Sequence, residues 1–163
     1  MSRYPEEHSW VKDIPSSAMV YPQLPWERVK YVFWRFYTPY HPFFRDMALR
    51  LGVVHHHGRQ DYLLGTIAPH LSIREFVSQL LEKGYGNHFV AWKDDGEVVS
   101  LRYTDGFEYQ YHLRVFSDRE VRAHYEYTPE CYPISHMRAI NLEPRRDYFF
   151  SVLGDMVVEL RES

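Results

Sequence analysis

Residues 107–127 read FEYQYHLRVFSDREVRAHYEY. Phe107, Tyr109, Tyr111, Leu113 and Val115 alternate with Glu108, Gln110, His112 and Arg114. After Ser117-Asp118-Arg119 the alternation resumes: Val121, Ala123, Tyr125 and Tyr127 against Arg122, His124 and Glu126. Two period-two runs around a polar turn predict an antiparallel hairpin with one buried face. Directly opposed residues point to the same side, so the loop must hold an odd number of residues to keep the apolar sets together. A three-residue loop at 117–119 pairs Leu113 with Ala123, Tyr111 with Tyr125, and His112 with His124. A slip by one residue would set apolar against polar along the whole ladder.

Working outward, Thr104-Asp105-Gly106 and Asp94-Asp95-Gly96 are the next turn signals. Three-residue loops ending in a left-handed glycine keep the same sorting. They predict Tyr103 opposite Phe107 and Leu101 opposite Tyr109, with Arg102 against Glu108 and His88 beside Arg102. The result is a meander of at least four strands over about 87–128. One face is aromatic and aliphatic, built on Val99, Leu101, Tyr111, Leu113 and Tyr125. The other runs in rows: His88–Arg102–Glu108, Val90–Ser100–Gln110–Glu126, Trp92–Val98–His112–His124, and Arg114–Arg122. The last row opposes like charges, which costs energy unless something negative sits near.

Around the meander the periodicity is helical. Ser72-Ile73-Arg74-Glu75 is a capping box opening a helix over about 72–83. Pro144 starts another, predicted to run over 144–161 with Tyr148, Phe149, Val152, Leu153 and Met156 on one side. Residues 26–37 are rich in aromatic and branched residues, which suits a strand, but Pro25 suits a first helical position and the spacing favours a helix. From there Trp26, Val29, Val32, Phe33 and Phe36 share a side opposite Glu27, Arg28, Lys30 and Arg35. Pro42 opens a short helix stopped by Gly52, and 53–57 with 61–67 suggest a hairpin. The fold class is therefore α+β: an antiparallel sheet with helices on its aromatic face and an N-terminal helical region. Residues 1–25, with four prolines, read as an extended arm, and 26–163 as a single domain.

Composition bounds the function. The chain has 163 residues, enough for one sizeable core. A net charge of −3 argues against generic nucleic-acid binding. The longest apolar runs fall short of the roughly 20 residues that span a bilayer, so no membrane partner is expected. The single cysteine, Cys131, excludes an internal disulfide, which fits a reducing, cytoplasmic setting. Flanking prolines and no fixed base read Cys131 as an inert thiol.

Three readings of the polar face follow. Arg102, Arg114 and Arg122, with His88, Trp92 and Glu108, would form a ligand-binding surface for a small anion. His112, His124 and Glu126 form a His–His–carboxylate set that could hold a divalent metal such as zinc and serve a hydrolytic enzyme. Trp92, Val90 and Val98 would form an apolar seam for a homodimer. His55 and His57 share one strand face and supply two metal ligands at most. No phosphate loop, nucleophile elbow or dinucleotide fingerprint is present.

Overall fold

The computed structural model describes residues 6–18, 21–53, 61–87, 94–137 and 141–159. The hairpin that anchors the sequence reading is β4 (Tyr109–Phe116) and β5 (Glu120–Tyr127). It pairs Leu113 with Ala123, Tyr111 with Tyr125, His112 with His124 and Arg114 with Arg122, the expected register. Arg119 closes the loop at φ 75°, a conformation that costs a non-glycine residue. Its guanidinium compensates by donating to the carbonyls of Ile67, Ala68 and Leu71.

Preceding it, β3 (Glu97–Asp105) pairs with β4, but the turn lies two residues later than expected. Thr104 and Asp105 stay in the strand, opposite Gln110 and Tyr109, and the loop is 106–108 with Gly106 at φ 69°. Two more residue pairs join the ladder this way. Arg102 consequently stands opposite His112 instead of Glu108, and Tyr103 opposite Tyr111 instead of Phe107. The loop remains three residues long, so every side chain keeps its face. A register irregularity between Glu97 and Val99 reverses the expected roles of two neighbours. Val98 joins the hydrophobic core, and Glu97 turns to Arg114.

β2 (Gly86–Asn87) borders β3, with Gly86 opposite Arg102 where His88 was expected. β1 (Tyr62–Ile67) adds to the far side of β5, and β6 (Val157–Val158) borders β1. The strand order is β2-β3-β4-β5-β1-β6, antiparallel throughout. Gly65 sits where β1 bulges, and a Cβ there would strike the Val158 carbonyl. The run 54–60, including His55 and His57, lies outside the described residues. Among the described residues β1 therefore has β5 and β6 as partners.

The aromatic face carries the core. Val99, Leu101, Leu113, Val115, Val121 and Ala123 are fully buried. α3 (Ile73–Glu82) covers them with Phe76, Val77 and Leu80. Its capping box is formed: Ser72 Oγ accepts from the Glu75 amide at 3.2 Å, and Glu75 accepts from the Ser72 amide at 2.8 Å. α5 (Arg146–Leu153) lays Tyr148 on Tyr111 with ring centroids 3.7 Å apart and sets Phe149 edge-on to Tyr111 and Tyr62. α5 ends eight residues before the predicted limit. Gly154, at φ 52°, stops it, and a 3-10 turn leads into β6. That glycine was a readable stop signal.

α1 (Pro25–Tyr37) and α2 (His41–Arg50) form the N-terminal helical region, and α4 (Pro133–Met137) follows the meander. The segment before α1 is docked: Val11 and Ile14 are buried, and Ser16 bridges to Asn87. No helix among the described residues is long and apolar enough to cross a membrane.

Candidate functional site

Parity alone gathers the polar residues. Ser100, Arg102, Gln110, His112, Arg114, His124 and Glu126 are even-numbered positions on β3, β4 and β5, whose pairings keep even residues opposite even ones. They are not solvated. Gln110 is fully buried, and Arg102, Arg114, His112, His124 and Glu126 are each no more than 2% exposed. A buried polar layer is stable only if its members satisfy one another.

At its centre His112 Nδ1 lies 2.9 Å from His124 Nε2. Glu126 Oε1 lies 3.2 Å from each of those nitrogens. Three ligand atoms thus form a near-equilateral triangle. Tetrahedral zinc, with bonds of about 2.0–2.2 Å, sets its ligands about 3.3 Å apart. The triangle needs to open by only a few tenths of an ångström to seat such an ion.

Supporting groups fix two of the three. His112 Nε2 meets Ser100 Oγ at 2.5 Å, which holds the ring with Nδ1 toward His124 and Glu126. Gln110 Nε2 donates to Glu126 Oε1 at 2.7 Å, and His136 Nδ1 lies 3.3 Å from Glu126 Oε2 and 3.0 Å from the Tyr127 carbonyl. Nδ1 of His124 is buried with no hydrogen-bond partner among the described residues. Burial alone would raise the Glu126 pKa. Instead positive charge on His136 and His124, with hydrogen bonds from His112 and His124, holds its carboxyl well below the usual range. A bound cation would act in the same sense.

The arginines are engaged elsewhere. Arg102 forms a two-pronged pair with Glu130 at 2.7 and 3.0 Å and also donates to Gln110 and Ser17. Arg114 donates to Glu97 at 2.6 Å and to Asp61 and Asp94. Its opposition to Arg122 is relieved because Arg122 turns outward, 40% exposed, to Glu120 at 2.6 Å. Glu108 sits in the 106–108 loop and accepts from the Tyr132 hydroxyl. His88, Trp92 and Val90 lie outside the described residues, and Val98, the third member of the expected seam, is buried in the core and not offered to a partner.

Glu130, Glu97, Asp61 and His136 were missed as members of this layer. Ser100 and Gln110 were legible, because the rows placed them on the polar face. Glu130, Asp61 and His136 arrive from loops or from a helix distant in sequence, and no local pattern reveals their direction. Lys30, from α1, lies 3.6 Å over the Tyr132 ring and 3.5 Å from Cys131 Sγ. The Cys131 thiol is pushed up by burial, against the pull of Lys30, which fits an inert thiol.

Comparison with known proteins finds no matching family model, no matching curated protein and no matching solved structure.

Proposed function

We propose that this chain binds a divalent transition metal through His112 Nδ1, His124 Nε2 and Glu126 Oε1. The observation that carries the reading is the 2.9, 3.2 and 3.2 Å triangle of ligand atoms inside a dry polar layer. Charge supports it. Among the described residues Arg102 meets Glu130, and Arg114 meets Glu97 and Asp61, with Asp94 at the exposed edge. Glu126 instead meets Gln110 and imidazoles, so its carboxylate is the one placed to hold a cation.

Three protein ligands leave a coordination position for water, as in catalytic rather than structural zinc sites. A metal held there would lower the pKa of a bound water, and with each ligand no more than 2% exposed a substrate would reach it only if the layer opened. The residues' own part is orientation. Ser100 holds the His112 ring through Nε2, and Gln110 and His136 hold the two oxygens of Glu126. An anion site on the arginines is the weaker reading, because a ligand would have to displace Glu130 from Arg102 and Glu97 from Arg114.

Native mass spectrometry with metal analysis tests this. One metal per chain is expected, with a raised unfolding temperature on zinc addition. Both should be lost in the double variant His124→Gln, Glu126→Gln. No retained metal and no thermal response to zinc, manganese or iron would remove the reading.

A further inference from the structure

Helix α1 is amphipathic and is mounted with its apolar side outward. Val29, Val32, Phe33 and Phe36 share one stripe, and an amphipathic helix ordinarily turns such a stripe to the core. Here the buried residues of α1 are Glu27 and Trp34, from the other side. Glu27 is drawn in because its carboxylate accepts from the amides of Gln23 and Leu24 at 2.7 and 3.0 Å. Val29 is left 71% exposed and Phe36 74%.

α2 extends the same surface, with Phe43 65% and Leu51 69% exposed. Ring contacts make it continuous: Phe33 stacks on Tyr37 at 6.0 Å, Tyr37 on Phe44 at 5.4 Å, and Phe44 meets Phe43 at 5.6 Å. A monomer seldom exposes a contiguous apolar patch beyond a few hundred Å².

We infer that a second copy of this chain packs on the α1–α2 face, forming a two-fold homodimer. Size supports this occupant. An aromatic side chain can bury about 150–250 Å². Trp26, Phe33, Phe36, Phe43 and Phe44, 38–74% exposed, with the intervening Val, Met and Leu side chains, approach the ~800 Å² that each partner gives a stable interface. Composition supports it too. The stripe is aromatic and aliphatic, and exposed Arg28 and Arg35 border it, the pattern of an interface core with an arginine rim. A two-fold axis brings the patch onto itself, so one surface supplies both halves. This surface is separate from the metal layer, and the inference does not rest on it.

The test is sedimentation velocity of the full chain over a wide concentration range, at low and high salt. The mass should rise from 19.7 kDa to twice that value, and salt should strengthen association because Arg28 and Arg35 of the two copies repel. Phe33→Glu with Phe36→Glu should weaken the dimer at least a hundredfold while leaving the circular dichroism of the monomer unchanged. Val29→Lys, equally exposed, gives a second variant. A mass of one chain up to the solubility limit, or a dimer indifferent to all three substitutions, overturns the inference. A monomer that co-sediments with anionic vesicles, less so as salt rises, assigns the face to lipid and overturns it equally.

Discussion

The sheet and the N-terminal helices bury opposite things. On the sheet, guanidiniums, imidazoles and carboxylates are shut away from water. On α1 and α2, phenylalanines and valines stand in it. Hydropathy alone would have exchanged them. The difference shows what burial requires. Arg102 and Arg114 can be buried because Glu130, Glu97 and Asp61 meet them; an unpaired buried charge would cost several kcal/mol. Phe36 can be exposed because α1 buries Trp34 and sets Lys30 on Tyr132 from its other side. Pairing, not polarity, decides which side chains go inside.

The largest effect should come from breaking a buried pair. Arg102→Leu leaves Glu130 unpaired at 4% exposure, and urea denaturation should show a loss of about 3–5 kcal/mol. A loss below about 1 kcal/mol would mean that Glu130 reaches water, and the account of a dry layer would fail.

Next comes acid sensitivity at His41, the first residue of α2. His41 is buried against Trp34 and Tyr37. Burial, then positive charge on His136 and Arg45, lowers its pKa from 6.5 to about 4. The folded state therefore binds this proton less readily than the unfolded chain. Its contribution is full above pH 6.5 and drains as pH falls toward 4, by up to about 3 kcal/mol. His41→Phe should flatten stability across that window in a chelator-containing buffer. An unchanged pH profile would place the acid sensitivity elsewhere.

Smaller effects sharpen the contrast between paired and solvated groups. Ser72→Ala removes the cap of α3 and should cost about 1 kcal/mol by thermal unfolding. Arg122→Ala removes an exposed pair with Glu120 and should stay within about 0.5 kcal/mol. Arg114→Ala, its directly opposed neighbour, should behave like Arg102→Leu. Equal effects at the two arginines would contradict the assignment of one inside and one outside.

Much of this was legible because strand parity is robust. The 117–119 loop set the β4–β5 register outright, since only an odd loop keeps Tyr111 with Tyr125 and His112 with His124. The turn near Gly106 was misplaced by two residues, yet both placements give three-residue loops, so Arg102 changed partner without changing face. The C-terminal helix was read too long because its apolar spacing continues past Gly154. What periodicity cannot carry is direction between distant segments. Glu130 on Arg102 and Asp61 on Arg114 depend on loops. The outward mounting of α1 goes with contacts distant in sequence, such as Lys30 on Tyr132 and Cys131.

Titration with cobalt(II), followed by visible absorption, tests the metal site most directly, because its bands report both stoichiometry and ligand geometry. The wild-type chain should saturate at one equivalent with the bands of a four- or five-coordinate nitrogen–oxygen site. Those bands should vanish in His124→Gln, Glu126→Gln. Wild-type spectra no different from cobalt in buffer, or bands that survive the double substitution, would contradict a metal held between His112, His124 and Glu126.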